Sequence, residues 1–237
     1  MAITSKVAII TGASQGIGAE LVQGYLELGY QVIANSRHIE THEHDNVLTI
    51  KGDIAEPETT ERIIDAALDK FGRIDSLVNN AGIFIAKPFI DYSAEDYRQI
   101  MGINLNGFFQ LTQKVARQML QQKNGHIVNI TTSLVEQPLA VLPSALASLT
   151  KGGLNAITKA LAIEYAQKGV RVNAISAGVI KTPMHSVENY SFLNTLNPMG
   201  RMGKISDIVN AVMYLEEAGF VTGEIMHVDG GQIAGRW

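Results

Sequence analysis

Seven short β-branched runs alternate with long amphipathic stretches along this 237-residue chain. The runs are Lys6–Thr11, Gln31–Asn35, Val47–Lys51, Ile74–Asn79, His126–Thr131, Val170–Ile175 and Glu224–Val228. Each is mostly apolar, as a strand covered on both faces must be. Helical spacing occupies Gly16–Leu28, Pro57–Phe71, Ala94–Gln121, Ser144–Gln167 and Ile205–Glu216. Such alternation predicts right-handed βαβ units: an α/β fold with a doubly wound parallel sheet. No linker composition interrupts it, so residues 1–237 are expected to form a single domain.

Two segments break the rhythm. Residues 36–46 carry His38, His42 and His44 among acidic neighbours, too few for a good crossover helix, and read as a solvated connection rather than a metal site. Residues 181–202 are rich in Met, Asn, Ser and Pro. They read as a loop or loose helix and a substrate lid, because long loops in compact domains are usually functional.

Composition narrows the function. Apolar residues make up 46%, enough for a substantial core. A net charge of −4 excludes a strongly basic nucleic-acid binder. The absence of cysteine excludes disulfides, thiol nucleophiles and cysteine-ligated metals; no metal site is expected. No run of 18 apolar residues occurs, so no membrane span is expected. The first ten residues lack the apolar stretch of a leader, and a cytoplasmic protein is the expectation.

Thr11-Gly12-Ala13-Ser14-Gln15-Gly16-Ile17-Gly18 follows the first run and opens the first helix. Glycines there allow a tight turn and a close ligand approach, and the helix N-terminus favours a pyrophosphate. The second run ends in Asn35-Ser36-Arg37. An NAD site usually has an acid there for the ribose 2′-hydroxyl. Ser36 removes that charge and Arg37 can pair with a 2′-phosphate, so NADP(H) is favoured, with NAD(H) the alternative.

These motifs jointly resemble the short-chain dehydrogenase/reductase family, from about residue 5 to 232. The resemblance rests on Gly12-x-x-x-Gly16-x-Gly18, Asn79-Asn80-Ala81-Gly82, Asn104 in its N-x-x-G setting, Lys151, Arg171-Val172-Asn173 and Val228-Asp229-Gly230-Gly231. It implies a Rossmann-type sheet. It further implies adenine contacts from Asp53 and Ile54, and ribose contacts from Asn80, Ala81, Gly82 and Lys151. Gly178, Ile180 and Thr182 would lie about the nicotinamide. A dimer or tetramer is implied too, with Ala94–Gln121 and Ser144–Gln167 at a four-helix contact and Trp237 at a subunit boundary.

The family reduces carbonyls or oxidises alcohols, with a tyrosine moving the proton and a lysine four residues later on the same helical face. Here four residues before Lys151 stands Ala147, and no tyrosine lies between Tyr97 and Tyr165. The family serine corresponds to Thr132 or Ser133, and Asn104 to the asparagine of its water-linked proton path. An NADP(H)-dependent oxidoreductase with an altered proton donor is therefore expected. Its substrate would be an apolar or amphipathic small molecule, given Met184, Phe192, Leu193, Leu196 and Met199 in the lid. Ser144, Ser148, His185, Tyr190 or a bound water are candidate donors. The alternatives are a non-catalytic NADP(H)-binding sensor or assembly partner, and non-redox elimination in the same pocket.

Overall fold

The computed structural model describes residues 5–235; Trp237, expected at a subunit boundary, lies outside them. Its seven strands are β1 (Val7–Thr11), β2 (Gln31–Ser36), β3 (Val47–Lys51), β4 (Ser76–Asn79), β5 (Gly125–Thr132), β6 (Val170–Ala177) and β7 (Ile225–Val228). All pair in parallel, in the order β3-β2-β1-β4-β5-β6-β7. Helices α1 (Gly16–Glu27) and α7 (Ile205–Glu217) cover one face; α2 (Pro57–Phe71), α4 (Phe108–Gln122) and α5 (Ala145–Tyr165) cover the other. Every residue of β1 is buried, which explains why the central strands read as unbroken apolar runs. Strand order reverses between β1 and β4, and in open α/β sheets ligands bind at that reversal.

The long helical stretch from Ala94 is not continuous. Helix α3 (Ala94–Met101) passes into one π-helical turn, Gly102–Gly107, before α4. The cause is tertiary. Asn104 sits in the wide turn, where its Oδ1 accepts from the Ile83 backbone N–H at 2.9 Å. Its Nδ2 donates to the Ile83 carbonyl at 3.1 Å and to Thr150 Oγ1 at 3.2 Å.

A polar ladder ties the strand tips to the helices. Asn79 Nδ2 donates to Asn129 Oδ1 at 2.9 Å and to Thr112 Oγ1 on α4 at 3.0 Å. Asn129 Nδ2 donates to Thr158 Oγ1 on α5 at 2.9 Å. At the opposite end of the sheet, Glu216 Oε2 accepts from Tyr25, Ser76 and His126 Nδ1, and its Oε1 accepts from Tyr30. Asn173 Oδ1 accepts from the Glu224 N–H, so its Nδ2 donates to His126 Nε2. His126 is thereby fixed as the neutral tautomer with its proton on Nδ1. Burial also holds His126 below the usual histidine range.

Residues 181–202 depart from a plain loop. Helix α6 (Tyr190–Leu193) lies within them, and Leu193, Leu196 and Met202 form a small buried cluster against Leu139, Leu142 and Val179. The histidine crossover has no helix. His42 Nδ1 and His44 Nδ1 each accept the backbone N–H two residues on, at 3.1 Å, and so act as turn formers. Among the described residues no helix is long and apolar enough to cross a membrane.

Candidate active site

The reversal of strand order places the glycine loop after β1 beside the Asn79–Gly82 segment after β4. Thr11 Oγ1 accepts the N–H groups of Asn80 and Ala81 at 3.1 and 3.0 Å, and Asn80 Nδ2 donates to the carbonyls of Thr11 and Gly12 at 2.9 and 3.2 Å. Gly12 has φ +67°, and a Cβ on it would lie 3.0 Å from Ala81 Cα, so a side chain is excluded on both counts. Helix α1 has no side-chain cap at Gln15. Its first-turn N–H groups are left for an anionic ligand.

One cavity of about 690 Å³ runs from this loop along the ends of the strands to residues 182–193. Gly12, Ser14, Gln15, Gly16 and Ile17 line it, and so do Ser36, Arg37, Asp53 and Ile54. Asn80, Ala81, Gly82, Thr132, Ser133, Lys151, Gly178, Ile180 and Thr182 complete its length. Two residues expected at the site are elsewhere. Gly18 stands behind the loop, where a Cβ would collide with the Gly12 carbonyl, so its role is close packing. Asn104 is buried behind Gly82, and its side-chain amide bonds Ile83 and Thr150, so that side chain braces the π-helical turn.

At the β2 end, Ser14 Oγ and Ser36 Oγ are 2.9 Å apart. Arg37 is half-exposed, with Nη1 4.0 Å from Asp53 Oδ2. The other Asp53 oxygen, Oδ1, accepts from the Ala55 N–H at 3.0 Å. This is a local turn, since the α2 N-cap is Glu56 rather than Asp53. At the far end, Lys151 Nζ donates to the Ile130 carbonyl at 2.7 Å, and burial lowers its pKa to about 8. Ala147, one turn earlier on α5, also lines the cavity. Ser133 Oγ donates to Gln232 Oε1 at 2.9 Å and to the Ala177 carbonyl at 3.3 Å; Thr132 Oγ1 accepts from the Leu134 N–H at 3.4 Å. Of the two, Thr132 is the less committed. Among the other candidate donors, Ser148 Oγ donates to the Leu134 carbonyl at 3.4 Å, and Ser144, Ser148 and Tyr190 do not line the cavity. Burial lowers the pKa of His185, which does.

Gln232 escaped sequence reasoning. It is 1% exposed, lines the cavity and bonds both Ser133 and the Gln137 carbonyl. Its one available signal was its position directly after Val228-Asp229-Gly230-Gly231.

A phosphate-cradling loop at the reversal of a parallel sheet, joined by one cavity to a buried lysine, defines a dinucleotide-binding α/β oxidoreductase. The family model described as enoyl-(acyl carrier protein) reductase matches residues 12–232. The 3-oxoacyl-[acyl-carrier-protein] reductase of Synechocystis sp. is 33% identical over 245 residues, covering 98% of this chain and 98% of the relative. The chain belongs to the short-chain dehydrogenase/reductase family. Among solved structures, ElxO with NADP bound superposes with a TM-score of 0.91 at 28% identity, over 98% of this chain and all of that one. A tyrosine-to-phenylalanine variant of ElxO with NADPH bound gives 0.90 at 28% identity, with the same coverage. The 3-ketoacyl-(acyl-carrier-protein) reductase of Brucella melitensis complexed with NADH gives 0.89 at 30% identity, over 96% of this chain and 98% of that one.

Proposed function

We propose that this chain is an NADP(H)-dependent oxidoreductase that interconverts a carbonyl and an alcohol on an apolar or amphipathic small molecule, with a proton donor other than tyrosine. The observation that carries this reading is the single cavity joining Ser36 and Arg37 to Thr132 and Lys151. When bound, the nicotinamide supplies hydride chemistry. Ser14, Ser36 and Arg37 would hold the 2′-phosphate, and the N–H groups of the glycine loop and α1 the pyrophosphate. Asp53 and Ile54 would meet adenine, Lys151 the ribose and Thr182 the carboxamide. Thr132 would orient the substrate oxygen. Leu134, Leu142, Met184 and Phe192 line the substrate end and exclude water from it. A variant of ElxO in which one tyrosine is replaced by phenylalanine still holds NADPH, which supports dinucleotide binding in a fold of this kind without that hydroxyl.

Titration of NADPH and NADH by calorimetry tests the cofactor assignment. NADPH should bind at least tenfold more tightly. Arg37→Ala should cut NADPH affinity by about tenfold, a loss of about 1.4 kcal/mol at the lower edge of what a charged hydrogen bond contributes, and leave NADH unaffected. Equal affinities in the natural protein overturn the NADP(H) assignment. NADPH oxidation against a carbonyl panel tests the reaction. The second reading, a non-catalytic dinucleotide-binding protein, is favoured by Ala147. It requires that NADPH raise the Tm while no carbonyl is turned over.

We propose further that the chain assembles through α4 and α5, where Phe109, Leu149 and Ile163 are exposed at 56%, 56% and 84%. Exposed apolar groups of this size mark association surfaces. Ile163→Glu should halve the mass seen by light scattering. An unchanged mass would place the contact elsewhere.

A further inference from the structure

At the substrate end of the cavity the choice of proton donor is narrow. Of its titratable lining groups, Arg37, His38 and Asp53 lie at the ends of β2 and β3; Lys151 and His185 remain at the other end. No tyrosine or glutamate lines the cavity among the described residues. Ser133 and Ser148 are committed to carbonyl and amide oxygens, and an aliphatic hydroxyl is too weak an acid to donate unaided. Lys151 Nζ makes one hydrogen bond, to Ile130 O, so two of its N–H groups are uncommitted. Gly82 leaves space beside it: a Cβ there would sit 3.1 Å from Nζ. Ala147, one helical turn before Lys151, lines the same cavity with only a methyl group.

We propose that Lys151 is itself the proton donor, its ammonium N–H passing a proton to the substrate oxygen in the space left open by Ala147. This rests on the oxidoreductase reading above. The carbonyl carbon gains a hydride from reduced nicotinamide. The C=O π pair moves onto oxygen, which takes the proton from Nζ. The resulting amine is reprotonated from solvent. Burial holds the ammonium at about 8, close to the pKa that suits an acid working near neutrality. Among the described residues, β5, the Gly82 loop and the π-helical turn bring no titratable side chain to the cavity, and residues 181–202 bring His185 alone. Burial keeps His185 below the usual histidine range, so at pH 7 it is largely neutral and ill-suited to donate.

The test compares the natural protein, Lys151→Arg and His185→Gln. Arginine keeps the charge and the donors but stays protonated at any working pH. Carbonyl reduction by the natural protein should be level below pH 8 and fall above it. Lys151→Arg should retain NADPH binding within about threefold by fluorescence yet lose at least 10²-fold in kcat, the size of a positioned acid, together with the break near pH 8. In His185→Gln the break should persist. Without cofactor, one 13Cε resonance of lysine-labelled protein should titrate near 8 and be missing from Lys151→Arg. Turnover with an unaltered break in Lys151→Arg, loss of the break in His185→Gln, or no lysine titrating near 8 overturns the donor assignment and leaves the oxidoreductase reading standing. Tight NADPH binding with no turnover of any carbonyl by the natural protein overturns both.

Discussion

Ala147→Tyr is expected to raise the rate of carbonyl reduction by about 10²-fold, the lower end of what a positioned acid contributes. Ala147 lines the cavity and precedes Lys151 by one helical turn, so a phenol placed there shares a helix face with the ammonium. A cation that close favours the phenolate and lowers the tyrosine pKa toward the working range. Single-turnover measurements at saturating NADPH isolate the chemical step from binding. An unchanged rate would mean that the natural donor already matches a tyrosine, or that α5 does not present position 147 to the substrate oxygen. Equal NADPH affinities in the two proteins would assign the gain to proton transfer.

The second large effect is on stability. Removing Glu216 by substitution with alanine should cost about 3–5 kcal/mol, because it leaves several buried donors unsatisfied at about 1–3 kcal/mol each. In a domain of this size that lowers the Tm by about 6–20 °C, which calorimetry would read directly. The carboxylate side chain is 7% exposed. Burial alone would raise its pKa, but donors from His126, Tyr30 and Ser76 outweigh it and hold the group at about 2. Its loss strands those donors in a site that water does not reach. A Tm within about 2 °C of the natural value would show that the cluster relaxes and that its bonds are worth little.

The same cluster sets the response to acid. His126 is held below its usual value of 6.5 and Glu216 below 4.5. In both cases the unfolded chain binds more protons than the folded one, so stability falls as pH falls. The histidine contribution is lost as pH drops below 6.5, and the glutamate contribution between 4.5 and about 2. Thermal melts across this range should steepen in the two windows, and His126→Gln should flatten the upper one.

Local patterns carried the sheet. β-branched runs buried on both faces need no partner information to be read as strands, and the glycine loop declares itself by backbone demands that only glycine meets. What stayed illegible was set by distant residues. Nothing in Ile103-Asn104-Leu105 announces a wide helical turn; it arises because Asn104 meets the Ile83 backbone across 21 positions of sequence. Ser133 carries the residue type expected at the site, but its hydroxyl is claimed by Gln232, 99 positions away. Residues 181–202 read as a loop or loose helix rather than core, yet Leu193, Leu196 and Met202 converge into a buried cluster because Leu139 and Leu142 arrive from another loop. The absent tyrosine was legible as Ala147; that Lys151 shares its end of the cavity with His185 alone among the titratable lining groups was not, since it depends on which side chains face inward.

The ladder from Thr112 through Asn79 and Asn129 to Thr158 has a further consequence. Side-chain amides stitch the strand tips to α4 and α5 where the backbone pairing ends, and Asn80 secures the glycine loop from the same place. A nucleotide entering there meets a rigid, preorganised bed and need freeze few rotamers.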